Sequence, residues 1–509
     1  MKLCEYSKLD ATALAGLIRR KQVSAKEALD TAMEALQKVD GRLNAVVDYT
    51  YDYALKQIEA GIDYEAPFCG VPFVLKDCGG EAAGIRATMG TRLTGEGIYA
   101  KEDSTLFKRM KKSGVLVAAS SATSELCIDS STETRRHGPT ANPWNTEFSP
   151  GGSSGGSAAL VAAGAVPMAH GSDGGGSIRI PASMCGIVGF KPSRFRVPTG
   201  PFGWDPGGSV SFALTRSVRD SAAMLDAVEG PDPGYYGTSA AHDMTYTEAV
   251  KREPGKLKIA YMLRTPYGKE FADPECALAV LETVEILRAL GHECVEDYPE
   301  IHESYQEARI ASMCDEIAVS IEELSAQTGL PIDETTLEPL VYKTYLESAR
   351  RPGMDVFRAK SELGLAARSA GRFFERYDII VSPAVGKVRR KLGTLNGVVH
   401  PEISASQWAL QRREYACITP LANIAGLPSI SLPLYMTGDG MPLGVELDGA
   451  IDDDRLVLCL AAQLERARPW IGKIPPVHVE RDVPAGKDNR VPETGRLEDR
   501  EGSEDYESL

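Results

Sequence analysis

The sequence predicts an α/β fold, an expectation that rests on three observations. Short apolar runs bounded by Gly and Pro, at residues 68–77, 115–119 and 377–381, have the composition of strands buried on both faces. Segments with apolar residues at helical spacing lie between them, so strand and helix alternate along the chain. Between the second and third runs, two glycine–serine loops at 151–156 and 171–177 flank a small-residue apolar segment, 158–169, suited to a tightly packed helix.

Taken in order, residues 9–60 are helical by period, with Leu14, Leu17 and Ile18 followed by Ala28, Ala32 and Leu36. Ser24, three residues before Glu27, has the form of a capping box for the second helix. The run at 71–75 reads as a strand ending on Lys76. A helix over 104–112 and a strand over 115–119 continue the alternation, and 140–145 is a turn-rich approach to the first loop. After Pro192 the chain reads as loop through Gly208, and a helix at 217–228 follows. Strand and helix signals resume at 257–261, 274–290 and 292–295. Residues 301–374 are helix-dominated and polar, as in an insertion lying over a core. The segment 418–433, ITPLANIAGLPSISLP, then 444–447 and a helix at 454–466 close the fold. From 477 to 509 the composition is charged and rich in Pro and Gly, the pattern of a disordered tail.

A net charge of −15 argues against a nucleic-acid footprint. The N-terminus lacks the apolar stretch of a secretory signal. The longest apolar run, 158–169, is too short to span a membrane and is broken by Gly164 and Pro167. The 10 cysteines are scattered with no CxxC pair, which reads as free thiols in a reducing cytoplasm.

The loops carry the chemistry. Glycine at this density lets backbone N–H groups approach a ligand and form donor nests. Serine recurs inside both loops, so acyl transfer is the expected reaction, with amides holding the oxyanion. A phosphate cradle fails, because no Gly-Lys pair is followed by Ser or Thr. A nucleophile elbow, GxSxG, fits 151–156 twice and would make Ser153 or Ser154 the nucleophile. It also requires a downstream histidine, and neither His242, His292, His302, His400 nor His478 sits in a recognisable strand-end loop. A third arrangement dispenses with histidine and uses a lysine base. Lys76 is a surface residue on the plainer reading; on the sharper one its apolar flank buries the amine, and desolvation makes it a base near neutral pH.

Gly70-Val71-Pro72 with Lys76-Asp77, the stretch from Pro150 to Ser157, Gly171-Ser172-Asp173 with the stretch from Gly175 to Ala182, and Cys185-Gly186, Gly189 and Lys191-Pro192 together resemble the amidase signature family. The resemblance covers about residues 9–470, including 423–428. It implies a domain over 1–476 built on a large twisted mixed β-sheet covered by helices, with a helical insertion at about 235–400. It implies that Ser177 is the nucleophile, that Ser153, on a cis peptide bond, relays the proton, and that Lys76 is the base. The N–H groups of Gly174, Gly175, Gly176 and Ser177 would form the oxyanion hole. Ser154, Asp173 and Arg179 would brace the loops, the last two as an ion pair, while Cys127 would line the acyl pocket and Cys185 would pack.

Three features depart from the family pattern. Ser120-Ser121-Ala122-Thr123 stands where relatives carry Lys-Thr-Asn-Thr, and Gly174 where they carry Thr, Ile or Ala. After Pro192 the chain lacks the segment expected of the A subunit of a tRNA-dependent amidotransferase. Residues 257–329 are most similar to the 6-aminohexanoate-cyclic-dimer hydrolase group, and Met313, Cys314 and Tyr345 of this insertion are candidates for the substrate side. The implied reaction is hydrolysis of a small or medium amide (aryl, aliphatic or cyclic), with esters or carbamates as side substrates. A glutaminase-type amidotransferase subunit and an inactive binding protein are the competing readings. No metal or organic cofactor is implied; the partner is a small-molecule amide, and a homodimer is left open.

Overall fold

In the computed structural model, which describes residues 1–200, 208–394 and 402–481, the apolar runs pair into an 11-stranded mixed sheet. Its strands are β1 (Val46–Tyr49), β2 (Pro72–Lys76), β3 (Leu116–Ser121), β4 (Met168–Asp173), β5 (Val188–Lys191), β6 (Val210–Thr215), β7 (Lys258–Tyr261), β8 (Glu293–Glu296), β9 (Ile379–Pro383), β10 (Ser429–Met436) and β11 (Pro442–Gly449). They lie in the order β1-β3-β2-β4-β6-β5-β10-β11-β9-β7-β8. β3, β2 and β4 run parallel, as do β9, β7 and β8, and antiparallel pairs join the two groups. Strands such as β2, β3 and β9 are buried at every position, as the apolar run that begins each of them requires.

Topology places the two reactive stretches together. β2 and β4 are parallel neighbours in register at Val74 and Ala169, so Lys76 at the end of β2 and the second glycine–serine loop after Asp173 emerge at one edge of the sheet. The carboxyl ends of parallel strands are where α/β sheets present their sites.

The helices cover this frame. The N-terminal pair, α1 (Ala11–Arg19) and α2 (Ala25–Leu43), buries Leu14, Ile18, Ala28, Ala32 and Leu36 as their spacing predicts. Ser24 Oγ accepts from Glu27 N–H at 3.0 Å, but the Glu27 carboxylate pairs with the amino terminus, so one half of the capping box forms. The helical reading of 9–60 is corrected at β1: Asn44 turns left-handed at φ 48°, and the β-branched Val46-Val47 segment pairs antiparallel with β3. The segment 158–169 is likewise divided. Helix α3 (Gly155–Ala162) stops before Gly164, whose φ is +74°, and Met168 already belongs to β4.

Helix α4 (Arg179–Cys185) follows the second loop. Within 235–400 the helical insertion is concentrated in α5 (Ser304–Thr328), α6 (Pro339–Ser348) and α7 (Gly353–Phe373); the rest of that stretch supplies β7, β8 and β9 to the sheet. Helices α8 (Ala405–Arg412), α9 (Pro420–Ala425) and α10 (Asp454–Ala467) follow, and further helices at Tyr51–Glu59, Thr105–Lys112, Val218–Val228 and Glu275–Ala289 lie between strands along the chain. Of the charged tail expected over 477–509, residues 477–481 are docked: Val477 N–H donates to Pro143 O and Val479 N–H to Ala163 O, each at 3.0 Å. The remaining tail, and residues 201–207 of the expected loop, lie outside the described residues. No helix among the described residues is long and apolar enough to cross a membrane.

One buried polar cluster ties the middle of the sheet to the second loop. Arg179, fully buried, donates through Nε and Nη2 to both Asp173 oxygens at 2.9 Å, and through Nη1 to Glu446 Oε1 at 2.8 Å. Asn423 Oδ1 accepts from its Nη2 at 2.6 Å and Ser429 Oγ from its Nη1 at 3.1 Å. The cluster thus joins β4, α4, α9, β10 and β11. Removing one member of a buried ion network strands the charge of the others, at a cost of about 3–5 kcal/mol. Arg179→Met should therefore lower the urea midpoint by an amount equivalent to about 3–5 kcal/mol with an unchanged m-value. An unmoved midpoint would show that the cluster contributes no net stability.

Candidate active site

The site is built where β2 ends. Lys76, 2% exposed, donates from Nζ to Ser153 Oγ at 2.7 Å and to Ser172 Oγ at 2.8 Å. Among the described residues no carboxylate is in ion-pair contact with it. Its chain neighbour Asp77 turns away and accepts from Thr88 N–H at 2.7 Å and Gly90 N–H at 3.3 Å; burial pushes that carboxyl up to about 6. His170, behind Lys76, has no hydrogen-bond partner at either ring nitrogen among the described residues. Burial, reinforced by the Lys76 charge, pushes it down to about 3.

Ser153 is held by the first loop, whose Gly152–Ser153 peptide is cis. A Cβ on Gly152 would meet Ser131 N at 2.7 Å and Asp129 O at 2.8 Å, so this position admits no side chain. Thr132 Oγ1 donates to Gly151 O at 2.9 Å and accepts from Gly155 N–H at 3.1 Å, clamping the loop from both sides. Ser154 joins the two loops: its N–H donates to Ser177 O at 3.3 Å, and its Oγ exchanges 3.3 Å hydrogen bonds with Ser172 N–H and O.

The second loop is shaped by Asp173, which accepts from Gly176 N–H at 2.6 Å and Ile178 N–H at 3.2 Å besides Arg179. Burial alone would raise the Asp173 carboxyl, yet the Arg179 charge and hydrogen bonds outweigh it and hold it below the ordinary carboxylate range. Gly176, at φ +118°, lies where a Cβ would collide with Thr419; Thr419 Oγ1 donates to Gly175 O at 2.9 Å. Arg309 Nη2 donates to Gly174 O at 2.9 Å. The Gly174 and Gly175 carbonyls are thereby both engaged by side-chain donors. Of the four N–H groups expected at an oxyanion, the Gly176 N–H is engaged with Asp173 instead.

Ser153, Ser172, Gly174, Gly175 and Ser177 share one cavity of about 490 Å³, a size ordinary for a small-molecule site. Cys127 lines it, with Sγ 3.4 Å from Thr123 Oγ1 and further hydrogen bonding to Cys78 and Ser153. The opposite wall comes from α5 (Gln306, Arg309, Met313 and Glu316) and from Ala409 and Arg412 of α8. Cys314 is corrected here: it is not among the lining residues, because it sits about 100° round the helix from Met313, buried beside Arg412 and Asp315. Tyr345 is not among the lining residues either; it packs against the apolar cluster around Leu340 and Trp408, against which the lining residues Met313 and Ile317 also pack. Cys185 packs, as expected, with Sγ 3.4 Å from Pro150 O. Among the described residues no cluster of three or more His, Cys, Asp or Glu could hold a metal ion.

Sequence reasoning missed Ser172 as the second partner of Lys76, although it lies inside the quoted loop. It also missed Asn423, Glu446, Thr419 and Arg309. A lone amide or carboxylate inside an apolar run, as at 418–433 and 444–447, is a signal for a buried, partnered group. Arg309 carries no such mark.

Residues 27–458 match the family model described as Amidase. A 6-aminohexanoate-cyclic-dimer hydrolase of Pseudomonas sp. (strain NK87) is 34% identical, over 94% of this chain and 98% of its own. The solved structure of a 6-aminohexanoate cyclic dimer hydrolase complexed with substrate superposes with a TM-score of 0.86 at 34% identity, covering 92% of this chain and 99% of that one. A bacterial aryl acylamidase belonging to the amidase signature enzymes gives a TM-score of 0.81 at 26% identity, over 91% and 96%. The chain therefore belongs to the amidase signature family and is an amidase, a hydrolase of carbon–nitrogen bonds other than peptide bonds.

Proposed function

We propose that the chain hydrolyses small to medium amides through an acyl-enzyme on Ser177, with Ser153 relaying the proton and Lys76 as the base. The observation that carries this reading is the 2.7 Å hydrogen bond between Lys76 Nζ and Ser153 Oγ, beside a cavity that Ser177 also lines. In acylation Ser177 Oγ adds to the amide carbon, its proton passes to Ser153 Oγ, and the Ser153 proton passes to the Lys76 amine. The N–H groups of Gly174, Gly175 and Ser177 take the oxyanion, while Gly176, held by Asp173, shapes the turn. Collapse breaks the C–N bond as the proton returns through Ser153 to the leaving nitrogen. Water then adds to the Ser177 ester by the same relay and releases the acid.

Cyclic oligoamides and anilides are the first substrates to try, since relatives carry those names and the cavity accommodates molecules of that size. Cys127, on the cavity wall, is assigned to the acyl side. The 10 cysteines, none in a disulfide, support a reducing cytoplasm as the location. Release of product from an anilide or a cyclic bis-amide by the purified chain, without partner or ATP, tests the reading against an amidotransferase subunit.

Ser177→Ala should lower kcat by about a thousandfold or more with an unchanged thermal midpoint, since nucleophile and base act as a unit. Mass spectrometry should find a fluorophosphonate adduct on Ser177; an adduct on Ser153 or Ser154 would return the nucleophile elbow to first place. Lys76→Ala should cost about 10²- to 10⁴-fold. Because His170 is pushed down to about 3 it stays neutral across the assay range. The wild-type rate should therefore show no histidine limb between about pH 5 and 8. A limb near pH ~6.5 that survives in Lys76→Ala would reassign the base.

A further inference from the structure

The cavity wall facing the serines is more cationic than hydrolysis of a neutral amide calls for. Its lining holds Arg194, Arg309, Lys360, Arg412 and Arg413 against Asp129 and Glu316. Asp129 is already matched, because both its oxygens accept from Arg390 at 2.9 Å, and Arg390 does not line the cavity. Arg412 is 7% exposed. It stacks over the Trp408 ring at 3.8 Å and donates from Nη1 to Ile128 O, but its buried Nε has no partner among the described residues. No described carboxylate is in ion-pair contact with Arg309, Arg412 or Arg413. Gln306, 2% exposed and lining the same wall, also has an Nε2 without a partner.

A buried cation is normally paired, because removing it from water costs several kcal/mol. A carbonyl and an aromatic face offset part of that for Arg412, and the unused Nε and the Gln306 amide remain as donors. Arg412 Nε and Gln306 Nε2 are both donors, and both residues lie on one wall, so what they fit is an acceptor with two oxygens. We propose that this wall is a carboxylate subsite, and that the favoured substrates are amides bearing a carboxylate on one side of the scissile bond. The proposal rests on the amidase reading above and adds to it the substrate class. Arg412 and Gln306 are assigned to hold the carboxylate, while Arg309, committed to Gly174 O, links the subsite to the second loop.

Two matched substrate pairs test this. On the acyl side, 4-nitroanilides of a dicarboxylic acid are compared with those of alkanoic acids of equal chain length. On the amine side, N-alkanoyl amino acids are compared with the corresponding N-alkanoyl alkylamines. In one pair the anionic member should have a kcat/KM about ten- to a hundredfold higher, the range for a hydrogen bond to a charged group. Arg412→Gln should collapse that ratio toward one, Arg412→Lys should keep part of it, and Gln306→Leu should reduce it. Gln306→Leu decides the matter if Arg412→Gln lacks a cooperative thermal transition. Neutral members hydrolysed as fast as anionic ones in both pairs would overturn the subsite and leave the amidase reading standing. So would a ratio unmoved in Arg412→Gln and Gln306→Leu. No hydrolysis of any member would instead sink the amidase reading itself.

Discussion

A guanidinium with no exposure must find all its compensation inside the protein, and that requirement at Arg179 sets the terms for the site. Its five donors reach Asp173, Glu446, Asn423 and Ser429, residues drawn from strands and a helix far apart in sequence. Asp173 is then the one carboxylate able both to answer this charge and to accept from the backbone N–H groups of Gly176 and Ile178. The loop that carries Ser177 is therefore fixed from below by electrostatics, not by packing of its own side chains, which are mostly hydrogen atoms. A glycine-rich turn is entropically costly to order; here the ordering comes from a charge cluster whose members cannot move singly without stranding one another.

The first loop is fixed by the opposite means. Gly152 and Gly156 sit against the backbones of residues 129–131 and 122, so close approach of chain to chain, with Thr132 as a clamp, holds Ser153. Two independent constraints, one of charge and one of contact, thus converge on the strand end that bears Lys76. Parallel pairing of β2 with β4 makes the convergence geometric, since it sends the end of both strands to one edge.

What was legible in the sequence follows from range. Lys76, Ser153, Ser154, Ser177 and the Asp173–Arg179 pair lie in short motifs and are legible through the family resemblance those motifs carry, since their spacing alone leaves the nucleophile and the base open. The alternation of strand and helix was also readable, because strands such as β2 and β9 are buried on both faces and carry unbroken apolar runs. The partners of Arg179 were not, as Asn423, Ser429 and Glu446 arrive from 244, 250 and 267 residues away. Strand β1 escaped because four residues between two helices leave no period to count. The helical reading of 158–169 ran past Gly164, where a left-handed turn hands the chain to β4. At Cys314 the helix was foreseen but its rotation was not, because packing against α6 and α7 decides which face looks inward.

That last point separates two kinds of information in the chain. The reacting atoms sit on loops whose glycines leave almost no side-chain surface, so they can distinguish one carbonyl from another only weakly. The charged and polar surface a substrate could be recognised by comes largely from the α5 and α8 wall, where Arg309, Met313 and Arg412 meet the cavity, with Cys127 on another part of the lining. The two halves touch at Gly174, whose carbonyl accepts from Arg309. This contact brings a cation within hydrogen-bond reach of the loop backbone itself. A Cβ at Gly175 would collide with the Arg309 guanidinium, so the lack of a side chain there is what admits the cation. The loop that carries Ser177 and the wall that bears the charges therefore meet at one backbone oxygen, Gly174 O.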